Sequence, residues 1–274
     1  MQKRIFKTIA LVCCCNLILL CVANFSFAQK LKYHLVWSDE FNYKGLPDSN
    51  KWNYETGKSG WGNNELEDYT ANDVTTAKVS NGYLHITAQQ KMVNGKPYYT
   101  AARLTTKNKG DWQYGKIEVR ARLPKGRGLW PAIWMLSTDW AYGDWPLSGE
   151  IDIMEHVGYD KDRVYGSLHS KTYNHVIGTQ KTKGVYIVHP YDLFHTYGLE
   201  WTPDEIRFLL DGKVYYKVFN EHKTFAEWPF DKRFHLILNL AVGGNWGGKY
   251  GVDESVFPAS MLVDYVRVYQ MTDK

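Results

Sequence analysis

Apolar and polar residues alternate along much of this chain. From Lys116 to Leu123 the two classes change places at every step, the period of a strand with one buried face. Tyr83 to Ala88, Val164 to His169, Thr196 to Trp201 and Met261 to Tyr269 carry the same signal. Ile206 to Leu210 and Lys213 to Val218 flank Asp211-Gly212, a pair suited to the type I′ turn of a two-residue hairpin. Arg233 to Val242 predicts a longer strand closed by Gly243-Gly244. No window of a dozen residues carries a helical stripe, and Asn220 to Trp228 reads as a short helix or a loop. Strands separated by Gly, Asn, Asp and Pro turns predict an all-β fold, a sandwich of two antiparallel sheets of jelly-roll type. The final strand, 262–269, is expected to pair with Leu35-Val36-Trp37 and bring the chain ends together. With no repeat, low-complexity tract or linker, residues 31–274 read as one domain.

Residues 1–28 change that picture at the N-terminus. Lys3, Arg4 and Lys7 precede an apolar run from Ile9 to Val22, and Ser26-Phe27-Ala28 fits a small-x-small cleavage site, so this segment reads as a secretory signal peptide. The run is short for a membrane span. Lipoprotein processing at Cys21 is the weaker alternative, because bulky Leu20 precedes it. A secreted product, extracellular or periplasmic, is expected. All four cysteines, Cys13, Cys14, Cys15 and Cys21, fall in the leader. The mature chain therefore has no disulfide and must draw its stability from its core. The leader also holds three of the 33 basic residues and none of the 29 acidic ones. The mature chain is nearly neutral, which argues against a nucleic-acid partner.

Aromatic content adds a clue to the ligand. Eleven Trp and 20 Tyr exceed what a core of this size needs. Indole and phenol faces stack on sugar rings while their polar edges hydrogen-bond, so a sugar cleft uses them. Core filling accounts for at least half.

The chemistry is concentrated in Gly149-Glu150-Ile151-Asp152-Ile153-Met154-Glu155-His156. Three carboxylates lie within six residues, and no Lys or Arg between 145 and 160 neutralises them. Like charges on one strand face repel. Keeping one carboxyl protonated beside an ionised one suits acid/base hydrolysis of a glycosidic bond. Glu150 and Asp152 share a strand face. Glu155 joins them only through one extra residue, a β-bulge, for which Met154 is the expected position. The Glu150 and Glu155 Cα atoms would then lie ~13 Å apart at ~3.3 Å per step. Inward-leaning side chains can close this to the ~5–5.5 Å carboxyl spacing of retaining glycosidases. Asp152, between them, would hold their pKa values apart. An acidic exposed strand or an ion-pair network is the competing reading. A calcium loop is disfavoured by the missing Gly and carbonyl pattern, and there is no HExxH zinc motif.

Taken in order along the chain, these motifs resemble glycoside hydrolase family 16, in particular the laminarinase-like endo-β-1,3-glucanases. The resemblance rests on Trp37-Ser38-Asp39-Glu40-Phe41, Trp61-Gly62-Asn63-Asn64-Glu65-Leu66, Arg103-Leu104-Thr105, Gly115 to Leu123 and Trp130 to Leu136. The carboxylate run, Gly166 to His169, Asn239 to Gly248 and Asp264 to Tyr269 complete it. It covers nearly the whole mature chain, and only the carboxylate run is specific by itself. It implies a curved, concanavalin A-like jelly roll with a substrate cleft and a retaining double displacement. Glu150 resembles the nucleophile, Glu155 the general acid/base, and Asp152 the carboxylate that assists the nucleophile. The residue added by Met154 resembles the bulged branch of the family, which also holds agarases and carrageenases.

The same resemblance implies cleft residues. Trp130, Trp134 and Trp145 look like sugar-stacking or cleft-wall residues, with core packing as the alternative. Asn64 and Arg103 look like hydroxyl binders, His169 faces the acid/base unless it is a structural histidine, and Trp246 resembles a rim platform. Glu40 and Asp264, with a backbone carbonyl near Gly82, resemble ligands of a structural calcium, against the alternative of ordinary ion pairs. No catalytic cofactor is expected. The expected partner is a β-glucan, the expected state a monomer. The leading activity is a secreted endo-β-1,3-glucanase that also accepts mixed β-1,3/1,4-glucan. A galactan hydrolase of the same branch and a non-catalytic glucan-binding protein are the alternatives.

Overall fold

The computed structural model describes residues 33–271. The leader, its cleavage after Ala28 and the lipoprotein alternative at Cys21 lie outside the described residues. Two sheets, of ten and eight strands, pack face to face. Their pairings are antiparallel except that Glu67–Tyr69 runs parallel to Lys96–Ala101. The turns His175–Ile177 and Glu254–Val256 are the only helical elements among the described residues, and none is long or apolar enough to cross a membrane.

The alternating pattern places the core. In Gly115–Arg122 every second residue is buried, and Ile117, Val119 and Ala121 enter the core between the sheets. The hairpin forms as expected, with Asp211 and Gly212 at φ +49° and +74°, the left-handed pair a type I′ turn requires. The last strand, Ala259–Met271, pairs with Tyr33–Asp39. Segment 220–228 is a loop with turns.

The eight-stranded sheet carries the site. Its central strands run in the order Arg163–His169, Glu150–Glu155, Leu129–Ser137, Phe234–Val242 and Arg103–Thr105. Phe234–Val242 is buried on both faces. Leu236, Leu238, Leu240 and Val242 belong to the core, while Asn239 and Ala241 line an open cleft on the other side. Each fully buried leucine contributes roughly 1.5–3 kcal/mol, which makes this strand a firm floor. The sheets approach closely behind the carboxylates. A Cβ on Gly166 would sit 2.6 Å from both the Phe208 ring and the Tyr215 hydroxyl, so this position requires glycine.

Candidate active site

A bulge sets the carboxylates on one face. Against Leu129–Ser137, Glu155 pairs with Ala132, Met154 with Ile133 and Asp152 with Trp134. Ile153 is thus the extra residue, rather than Met154, which keeps its partner. On the other side, Asp152 pairs with Ser167 and Glu155 with Tyr165, leaving two residues opposite Gly166. Ile153 and Met154 are both buried in the core, and this apolar anchoring of two successive residues lets the strand re-aim Glu155. Glu150, Asp152 and Glu155 all open into one cleft of about 710 Å³.

Their environments differ. Glu150 keeps 17 % of its side chain exposed, while Asp152 is 2 % exposed. His169 Nε2 lies 3.1 Å from Asp152 Oδ2 and 3.9 Å from Glu150 Oε1. Burial, then the adjoining Glu150, holds the Asp152 carboxyl well above the usual range. Of this pair, Asp152 is therefore the carboxyl that burial most inclines to take up a proton. Burial, followed by the charge of Asp152, also raises Glu155 well above its ordinary value, partly offset by His169. Trp130 donates its indole N–H to Glu155 Oε1 at 3.1 Å, a bond that favours the ionised form. Glu155 is thus poised as an acid that can also hold a negative charge.

Aromatic walls enclose the carboxylates. Trp246 meets Trp130 edge-on at 5.4 Å and Tyr165 at 5.3 Å. Arg103 is sandwiched between Trp61 and Trp134, 4.6 Å from each ring. Trp134 donates to Asn239 Oδ1 at 2.7 Å. Trp145 lines the cleft and packs on His175 at 5.0 Å, and its Nε1 has no partner within the protein. All four expected tryptophans therefore face the cleft. Two expectations change. Asn64 is exposed and in a left-handed conformation, bonded to Asn245 at 2.8 Å, so that Asn63, not Asn64, lines the cleft. His169 pairs across the strands with Glu150, and so faces the Glu150–Asp152 pair rather than Glu155, whose neighbour is Tyr165.

Residues 64–267 match glycosyl hydrolases family 16. The chain belongs to this family. It is 52% identical to a beta-glucanase of Rhodothermus marinus over 88% of this chain and 86% of that one. The X-ray structure of the Rhodothermus marinus laminarinase superposes with a TM-score of 0.86 at 50% identity, covering 89% of this chain and 100% of that one. A non-specific endo-β-1,3(4)-glucanase of family 16, crystallised with a glucan oligosaccharide at its active site, matches at 47% identity and a TM-score of 0.83. That match covers 87% of this chain and 95% of the other.

This family 16 glycoside hydrolase draws on residues that its sequence alone did not single out. Glu55 binds Arg103 Nε at 2.5 Å and so fixes the guanidinium between its two rings. Asn239 orients Trp134, and Tyr165 and His175 complete the walls. Asn239 stood within a quoted motif and was the most accessible of these. The others come from loops or from an adjacent strand, and only the pairing register reveals them.

The expected calcium ligands are placed differently. The sheet brings the ends of Tyr33–Asp39, Tyr83–Val93 and Ala259–Met271 together, which puts Glu40, Gly82 and Asp264 in one neighbourhood. Each carboxylate there already has a cation. Glu40 makes a bidentate pair with Arg267 at 2.8 and 2.9 Å. Asp264 is the extra residue of a bulge and pairs with Arg120. These side chains form two ion pairs and do not fit a calcium cage. Hydrolysis in this family needs no catalytic cofactor.

Proposed function

We propose that this chain is a retaining endo-β-1,3-glucanase of laminarinase type, and that it also cleaves mixed β-1,3/1,4-glucan. The observation that carries the reading is the arrangement within one cleft: Glu150, Asp152 and Glu155 open into it together, with His169 Nε2 3.1 Å from Asp152 Oδ2 and the Trp130 indole N–H on Glu155 at 3.1 Å. In the first step the Glu150 carboxylate attacks the anomeric carbon. Glu155 gives its proton to the departing glycosidic oxygen. In the second step Glu155 takes a proton from water as the water oxygen attacks that carbon, and Glu150 leaves as a carboxylate. Asp152 steadies Glu150 through both steps, and His169 holds Asp152.

Substrate class follows from the walls and the charge. Tryptophan faces suit glucose rings, and the open cleft suits internal cleavage of a polymer. Among the described residues Arg103 is the only Lys or Arg lining the cleft, and Glu55 neutralises it. That balance favours a neutral glucan over a sulfated galactan. The laminarinase and endo-β-1,3(4)-glucanase relatives support the linkage. Export through the N-terminal leader, with the mature chain acting as a monomer, belongs to the same proposal.

The test is product release from laminarin, curdlan, barley mixed-linkage glucan, lichenan, agarose and carrageenan. Short oligosaccharides from laminarin, and fewer from barley glucan, are expected. Activity confined to agarose or carrageenan contradicts the substrate, and binding without turnover points to a non-catalytic glucan-binding protein.

A further inference from the structure

A second pair of carboxyls stands on the cleft wall built by loop 61–66 and the short strand Glu67–Tyr69. Glu65 lines the cleft, and Glu67 is 0 % exposed. Glu67 Oε2 accepts the Val242 N–H at 2.6 Å. Its Oε1 is buried with no N–H or hydroxyl donor and meets the Glu65 carboxyl instead. Both Glu65 oxygens already accept: Oε1 from Asn63 Nδ2 and Oε2 from the Tyr69 hydroxyl, each at 3.3 Å. A buried carboxylate in contact with a half-buried one is costly to ionise while its neighbour is charged, unless a cation pairs with it. The charged or titratable groups facing them are Arg103, which acts on Glu65, and the Tyr69 phenol. No Lys, Arg or His pairs with Glu67 among the described residues. Burial raises Glu65 as well, but Glu67 is the deeper of the two and its Oε1 has no other partner, so Glu67 is the carboxyl placed to carry the shared proton.

We propose that Glu65 and Glu67 form a proton-sharing positioning pair, in which neutral Glu67 donates to ionised Glu65 and holds the glucan-facing wall in its binding shape. The connection to the site is continuous. Tyr69 donates to Glu65, Asn239 Nδ2 donates to the Tyr69 oxygen at 2.8 Å, and Trp134 donates to Asn239 Oδ1 at 2.7 Å. Trp134 stacks on Arg103 and pairs across the strands with Asp152. Loss of the Glu67 proton sets a second buried charge against Glu65, repels loop 61–66 and slackens this chain as far as Trp134. Burial, then Glu65, raises Glu67 well above its ordinary value, which favours the proton-bearing form of the pair.

Glu67→Gln tests this, because an amide reproduces the acceptor for Val242 and the donor to Glu65 but cannot titrate. Folded Glu67 retains a proton that the unfolded chain releases above roughly pH 4–5. Wild-type stability from this group is therefore full at acid pH and is lost as pH rises through the folded group's own range. The Tm of Glu67→Gln should match wild type at acid pH and exceed it increasingly as pH rises. Asp152 and Glu155 cancel in this difference. The KM for laminari-oligosaccharides should match wild type at acid pH and stay flat where the wild-type value climbs, by up to roughly tenfold per pH unit. Parallel Tm curves overturn the proposal, as does a Gln variant that fails to fold. Diverging Tm curves with identical KM profiles contradict the positioning role. The KM arm rests on the glucanase reading, whereas the Tm arm does not. Diverging Tm curves in a chain that turns over no glucan would sink that reading, and with it the binding half of this proposal.

Discussion

Trp130 and Glu155 are joined by an indole N–H that donates to the carboxyl at 3.1 Å. Trp130 lies on the strand beside the bulge, so one backbone irregularity brings the acid/base into contact with a fixed donor. The bond favours ionised Glu155, against the burial and the Asp152 charge that raise it. In Trp130→Phe the opposing effects act alone and the pKa rises further. A hydrogen bond to a charged group is worth about 1.5–3 kcal/mol, or about one to two pH units. The basic limb of the kcat/KM profile should move up by that amount. An unchanged limb in the variant would show that Glu155 does not set it.

Glu150→Ala should abolish turnover and leave the fold intact. A residual rate above about a hundredth of wild type would remove Glu150 from the nucleophile's role. Thermal unfolding of the same variant should show an equal or higher Tm, because Asp152 and Glu155 each lose a neighbouring like charge.

Arg103→Ala should raise KM about tenfold with a smaller change in kcat. The guanidinium holds Trp61 and Trp134 in place by two cation–π contacts, each worth about 0.5–2 kcal/mol, and touches neither Glu150 nor Glu155. A loss confined to kcat in steady-state kinetics would place Arg103 at the reacting atoms instead.

Gly166→Ala should destabilise the fold by about 1–3 kcal/mol, read by denaturant unfolding. The added methyl meets Phe208 and Tyr215 of the opposite sheet, where close packing leaves no room to give. Wild-type stability in this variant would mean that the sheets separate more easily than their contact implies.

Much of this was legible in the sequence, and the exceptions share a physical cause. Strict alternation from Lys116 to Leu123 marked one buried face, and Asp211-Gly212 marked its hairpin, because both signals are local. The three carboxylates stood out through crowding without counter-charge. Ile153 rather than Met154 proved to be the extra residue because bulge position depends on two neighbouring strands. Asn64 turned outward because its left-handed backbone directs the side chain to Asn245. Glu40 and Asp264 found Arg267 and Arg120, partners on other strands that only pairing register places. Glu65 stood only inside a quoted motif and Glu67 in none, because the burial and the Val242 N–H that define them come from the fold.

The most direct test of the central claim is proton NMR of the first anomer released from a laminari-oligosaccharide. With Glu150 as nucleophile and Glu155 as acid/base, the new reducing end appears first as the β-anomer and then mutarotates. Initial release of the α-anomer would mean single displacement by water, and would contradict the roles given to both glutamates.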